Sequence, residues 1–242
     1  MKKYLVIKNF LVIGFVCSLI FISRSQIYAK DSLVQSVEKI GPVNNTTAPQ
    51  TLYRDGASSV KLGNKILWLF GDTLFTEVSE DGTNARTNTA ASGTTSSPYI
   101  LTEPLDANGA PSQFIPYNSA ETSYNLASSD PNDRYVIWPT EAVNIDENTA
   151  YIYYLRYKST PNPTTLAQLG VGIASVMTNS AIATVINEAV FSSSEAQFRP
   201  TAVKDQFVYL RDCHQEGFIA NCAIARVVKN QMATRSSYEF WN

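Results

Sequence analysis

Three times along the chain a polar residue opens a short β-run, a tight turn follows, and an aromatic-rich second run returns. The first copy runs from Asp55-Gly56-Ala57-Ser58-Ser59-Val60 into Ile66-Leu67-Trp68-Leu69-Phe70. The second leads from Trp138-Pro139-Thr140-Glu141-Ala142-Val143 into Ala150-Tyr151-Ile152-Tyr153-Tyr154-Leu155. The third leads from Phe198-Arg199-Pro200-Thr201-Ala202-Val203 into Phe207-Val208-Tyr209-Leu210. Repeated hairpins with polar entries describe propeller blades, whose inner strands begin at a central funnel. The rest of the chain is rich in Ser, Thr, Asn, Tyr and Val, with short apolar runs cut by Gly, Pro, Asn and Asp. That punctuation predicts an all-β fold of the β-propeller type. At this spacing the chain supplies three to four blades, near the lower end of the usual ~4–8, so the ring is expected to be incomplete or truncated at the C-terminus.

Several strands follow from the same reading. Tyr135–Trp138 and Ala142–Ile145 are expected as separate strands, Ala150–Tyr157 and Gly170–Met177 as two more. The low-complexity stretch Thr87–Ser97 is expected as a surface loop or irregular edge. Gly170-Val171-Gly172 lies in a strand-like run with no helix after it, which excludes a dinucleotide-binding loop.

The first copy also carries chemistry. One carboxylate, Asp55, stands where its first strand begins, and another, Asp72, stands where its second strand ends. In an antiparallel pair those points lie at the same end, and two converging carboxylates are the minimum equipment for cleaving a glycosidic bond. The apolar strand before Asp72 makes it the better general acid, and Asp55 the nucleophile or base. Asp-Gly and Gly-Asp are also ordinary turn formers, and that reading stands beside the first. The repeat puts Glu141 near the position of Asp55 in the next blade, as a third catalytic carboxylate or a solvent-facing strand residue. Arg199 is placed to reach a sugar hydroxyl or to make a structural salt bridge. Trp138, Trp68, Tyr151 and Tyr153 offer flat faces for sugar stacking, yet aromatics at alternating strand positions are more often core.

The N-terminus reads as a secretory signal. Lys2, Lys3 and Lys8 precede the apolar run Phe10–Ile22, and Ala29 closes a loose cleavage site. An uncleaved anchor is the alternative, although the run is shorter than the roughly 20 residues of a span. Residues 1–29 are thus assigned to the signal and 30–242 to one glycosidase-like propeller domain. Without the signal, 15 basic residues face 21 acidic ones, a formal charge of −6. That balance argues against nucleic acid or an anionic membrane surface as partner and suits a neutral polysaccharide or oligosaccharide. Cys213 and Cys222 flank Gly217 and suit a disulfide across a hairpin in an oxidising compartment, outside a bacterial cell or in its periplasm. The sequence holds no zinc or redox cysteine set, and no metal or organic cofactor is expected. Asp130-Pro131-Asn132-Asp133 and Asp146-Glu147-Asn148 read as polar turns.

Asp55-Gly56 before a Ser-Val strand, followed by Leu67-Trp68-Leu69-Phe70-Gly71-Asp72-Thr73, resembles the signature of the endo-D-arabinanases of glycoside hydrolase family 183. Further similarity runs through Arg86-Thr87-Asn88-Thr89-Ala90, Trp138-Pro139, Ala225-Arg226-Val227 and Ser237-Tyr238-Glu239-Phe240-Trp241. The resemblance implies a five-bladed propeller acting on D-arabinofuranose polymers, with the paired aspartates at Asp55 and Asp72 and substrate contacts at Arg86 and Asn88. A carbohydrate-binding or adhesion propeller without turnover is the alternative.

Overall fold

The computed structural model describes residues 44–45, 51–161, 164–216 and 219–241. The signal expected over residues 1–29 and the tip at Gly217 lie outside them. Most of the chain forms three consecutive antiparallel sheets, each a meander of four neighbouring strands. Blade A contains β3 (Ala57–Leu62), β4 (Lys65–Phe70), β7 (Thr89–Thr94) and β8 (Ser97–Thr102), with β1 (Asn44–Asn45) added in parallel to β8. Blade B contains β9 (Arg134–Asn144), β10 (Thr149–Thr160), β11 (Thr165–Met177) and β12 (Thr184–Ser192). Blade C contains β13 (Arg199–Lys204), β14 (Phe207–Glu216), β15 (Ile219–Val228) and β16 (Glu239–Trp241). A small sheet of β2 (Thr51–Arg54), β5 (Thr73–Phe75) and β6 (Ala85–Arg86) caps one end of blade A, and α1 (Ser119–Ala127) precedes β9. The three repeated hairpins of the sequence are the first two strands of blades A, B and C. The inner strands β3 and β13 both pack beside β9. This is the propeller-like arrangement, with three blades among the described residues.

Blade B explains why Ala150–Leu155 of β10 reads as a continuous apolar run. Side chains alternate across a strand, so a sheet buried on both faces needs apolar residues at every position. Ile152 and Tyr154 join Val60, Leu67 and Leu69 of blade A in one core, whereas Tyr153 and Leu155 join Phe198, Val208 and Leu210 of blade C in another. The deepest tyrosine oxygen is satisfied there, because the Tyr153 and Tyr238 hydroxyls lie 2.6 Å apart. Tyr153 is therefore core rather than a sugar platform, and Tyr151 packs beside it.

Small residues make room for these side chains. Tyr154 lies across the strand from Gly172, and its ring occupies the space a Cβ there would need. Gly170 adopts φ +140°, a backbone conformation open to glycine alone, beside the carbonyl of Phe191. Thus Gly170 and Gly172 serve packing. Gly93 is similarly crowded by the Ser97 and Pro98 carbonyls.

Several elements differ from expectation. The Thr87–Ser97 stretch contains β7, a central strand between β4 and β8; its Ala90, Ala91 and Gly93 lack side-chain signal because neighbouring strands and chain crowd them. The two strands expected around Pro139 are one, β9, in which Thr140 and Glu141 bulge opposite Tyr153. Pro139 is tolerated because β9 is an edge strand bonded only to β10. α1 and β12 were not expected. α1 is weakly amphipathic and is set by its N-terminus, where the Asn118 side chain accepts from Glu121 N–H and the Glu121 carboxylate accepts from Asn118 N–H.

The turn ends of the blades are pinned together. Gly63 N–H donates to Glu147 O at 2.7 Å, Thr178 N–H donates to Asn148 O at 2.9 Å, and the Asn144 amide donates to Lys61 O at 2.5 Å. Asn132 and Asn148 N–H groups donate to the Asp130 and Asp146 carboxylates, as expected of polar turns. Cys213 and Cys222, directly opposite on β14 and β15, form the disulfide. Replacing Gly172 by Ala is expected to displace the Tyr154 ring and cost about 1–3 kcal/mol. Urea unfolding of the purified variant measures it.

Candidate active site

The β3–β4 register pairs Ala57 with Phe70, and the β2–β5 register pairs Arg54 with Thr73. The two hairpin arms thus stay in step across the gap between sheets, with Asp55 opposite Asp72 and Gly56 opposite Gly71. Main-chain bonds close the gap: Asp55 N–H donates to Asp72 O at 3.0 Å, and Gly71 N–H donates to Asp55 O at 2.9 Å. Gly56 turns the chain there with φ +53°. Gly71 leaves space for the Asp55 carboxylate, which a Cβ at this position would displace.

Directly opposed like charges destabilise an antiparallel pair, and the environments of the two aspartates differ. Asp55 is exposed, whereas Asp72 is half-buried. Burial raises the pKa of Asp72, and the neighbouring Asp55 charge raises it further. Two groups oppose the rise: the Trp138 indole N–H, which donates to Asp72 Oδ1 at 2.8 Å, and the positive charge of Arg134. The upward causes win. Trp138 is held by its ring contact with Tyr157, centroids 5.3 Å apart. It therefore orients Asp72 through its indole edge.

Arg54 does not neutralise Asp55 despite adjacency. Its guanidinium pairs with the buried Glu103 and lies 4.6 Å over the Phe70 ring. Alternation along β2 turns neighbouring side chains to opposite sides.

Sequence reading missed Arg134 and Tyr117. The positive charge of Arg134 acts on the buried Tyr117, whose hydroxyl lies 2.6 Å from Thr87 Oγ1. Counting back by twos from Trp138 reaches Arg134, so strand periodicity was the available signal.

The remaining candidates fall elsewhere. Glu141, on the β9 bulge, is half-buried; burial raises its pKa, while its bond with Thr140 and the charges of Arg199 and Arg211 lower it. Its Oε2 is buried without a partner among the described residues. Glu141 on β9 and Arg199 on β13 thus interact between the inner strands of blades B and C. Asn88 is fully buried. Its amide oxygen accepts from Phe114 and Ile115 N–H, and its Nδ2 donates to Ile115 O and Ile137 O. That leaves Asn88 no donor for a sugar; it clamps the loop before α1 to β9. Arg86 is 5 % exposed and ion-paired with Asp81 and Asp106. It lines one wall of a cleft of about 670 Å³ that Tyr117 and Arg134 also line. Trp68 is anchored in blade A, its indole N–H donating to Pro98 O at 2.7 Å.

Consecutive antiparallel four-stranded blades, with opposed aspartates at one end of the first, define a β-propeller-like protein. Residues 49–242 match the family described as Domain of unknown function (DUF5005), and the chain belongs to that family. No curated protein matches the chain. Among solved structures, it is similar to a Bacteroides ovatus ATCC 8483 protein provisionally described as a hydrolase, with 15% identity and a TM-score of 0.49. The alignment covers 78% of this chain and 51% of that one, so the chain spans about half the length of that protein.

Replacing Trp138 by Phe removes the largest influence holding the Asp72 pKa down. Carboxyl-carbon NMR titration is expected to show Asp72 titrating at higher pH in the variant than in the parent protein.

Proposed function

We propose that this protein is a secreted glycoside hydrolase acting on furanosidic polysaccharide, with D-arabinan as the first substrate to test. One observation carries the reading: Asp55 and Asp72 oppose each other across one hairpin in environments that separate their roles. Furanoside cleavage passes through an oxocarbenium-like state that needs negative charge on one side and a proton for the leaving oxygen on the other. Asp72, whose protonated form is favoured by burial and by Asp55, supplies the proton. The exposed Asp55 supplies the charge, as nucleophile or as base for water. Trp138 fixes Asp72 Oδ1 and leaves its other oxygen for the leaving group. The Cys213–Cys222 disulfide suits an oxidising compartment, consistent with the signal read from residues 1–29. Among the described residues no helix is long and apolar enough to cross a membrane.

Hydrolysis is tested by the release of reducing ends from D-arabinan. Asp55→Asn and Asp72→Asn are each expected to lower turnover by about 10³-fold or more with the fold intact. A folded wild-type protein that binds the polymer but releases no ends would favour the carbohydrate-binding alternative. Product anomers read by proton NMR assign Asp55 as nucleophile when configuration is retained and as base when it is inverted.

The sign of the pH dependence follows from the raised Asp72 pKa. The acid is active while protonated, so turnover falls as pH rises through that pKa. Folding stability shares the direction, because ionised Asp72 is disfavoured in the folded state. Asp72→Asn is therefore expected to raise the melting temperature at neutral pH. The gain should vanish below about pH 4, where aspartate is protonated even in the unfolded chain.

A further inference from the structure

Blade C turns only one face into a core. Val208 and Leu210 of β14, with Ala225 and Val227 of β15, are buried in the core shared with blade B. Alternation therefore turns Tyr209, Arg211, Ile224 and Arg226 to the other face. The strand registers place four residues of that face in one line across the sheet. Arg199 lies opposite Arg211, Arg211 opposite Ile224, and Ile224 opposite Trp241. Directly opposed residues of an antiparallel pair share a face. All four are exposed, Ile224 at 37% and Trp241 at 44%.

The inner end of this row is charged and its outer end apolar. Arg199 and Arg211 are like charges directly opposed, an arrangement that costs stability. Both charges act on Glu141 of β9, yet neither guanidinium makes an ion pair or a hydrogen bond among the described residues. Their donors are free for an anion. One row along, Arg226 is already paired with Glu239 at 2.7 Å, and its guanidinium lies 5.1 Å from the centre of the Trp241 ring. It holds the indole against the sheet. The Cys213–Cys222 disulfide lies two residues from Arg211 and Ile224 on the same face and ties their strands together. A row held in this way needs little ordering when a ligand arrives. Residues 30–242 carry more acidic than basic groups, so the basic row is a local reversal of sign. Paired guanidinium groups match carboxylate oxygens, and a flat indole matches the C–H face of a sugar ring. The row crosses three gaps of ~4.8 Å between strands, a length that suits a polymer segment.

We infer that the outer face of blade C binds an acidic polysaccharide, with uronate carboxylates on Arg199 and Arg211 and a sugar ring on Trp241. This surface belongs to a different blade from Asp55 and Asp72 and takes a charged polymer, not the neutral one proposed for cleavage. It holds the protein on such a polymer whether or not the aspartates cut anything. Isothermal calorimetry on the purified protein with hexagalacturonate, and with its fully methyl-esterified form, is the experiment. The ester keeps the rings and removes the charge, so it is expected to bind about 10-fold or more weakly, and added salt should weaken the acid form. Arg199→Gln and Arg211→Gln are each expected to weaken the acid form about 10-fold or more. Trp241→Ala should weaken both forms. Lys61→Gln removes the same charge from an exposed position on blade A and should leave binding unchanged, as should Asp72→Asn. Thermal melts of the arginine variants are expected to match or exceed the parent, because each substitution relieves opposed like charges. Equal affinity for acid and ester in the parent protein, or no binding of hexagalacturonate, would overturn the inference without any variant. A loss in Lys61→Gln as large as in Arg199→Gln would overturn it in favour of diffuse charge, and a loss in Asp72→Asn would move the ligand to the aspartates. Tighter binding of polyphosphate than of hexagalacturonate would also overturn it, as would self-association abolished by Arg211→Gln, which would assign the face to a second copy.

Discussion

A single cross-strand pairing organises this molecule: two aspartates held opposite one another where a hairpin passes from one sheet into the next. Like charges in that position cost stability, and the surrounding residues maintain the arrangement instead of relieving it. Gly71 leaves space for the Asp55 carboxylate, Gly56 bends the strand beside it, and Arg54 is spent on Glu103 instead of on Asp55. Trp138 reaches across from the next blade and fixes one oxygen of Asp72. An unequal pair results, with protonation favoured on the more buried member.

The blades supply the rigidity that this pairing needs. The middle blade buries both faces, one against blade A and the other against blade C. Turn-to-turn hydrogen bonds lock blades A and B at the end away from the aspartates. With the far ends pinned and the core closely packed, Trp138 and Asp72 meet at a fixed level. Arg134, at the start of β9, lines the neighbouring cleft together with Tyr117, and its positive charge favours ionised Asp72.

The sequence carried the hairpins because their signals are local. Alternation, turn residues and paired acids can be read within twenty residues, as can the aromatic-rich run Ala150–Leu155 of β10. Other features depend on distant partners. β7 is assembled from small residues that only its neighbours require, and its Gly93 looks like a loop until the carbonyls of Ser97 and Pro98 are seen against it. Arg86 and Asn88 were noticed, but their burial depends on loops well away in sequence, which determine whether a polar side chain is free to bind or already occupied. Arg134 carried only a faint periodic signal, and its significance lies in approaching Asp72 from a different blade. The fold was thus more legible than the site, because a site is built from side chains that converge from separate segments.

The most direct measurement is a carboxyl-carbon NMR titration of Asp72 in the wild-type protein and in Asp55→Asn. The account predicts that Asp72 titrates above the ordinary aspartate range in the wild type. Its pKa should fall when the opposing charge is removed, while burial keeps it raised. An Asp72 titration unchanged by that substitution would show that the two carboxylates do not interact, and would contradict the account.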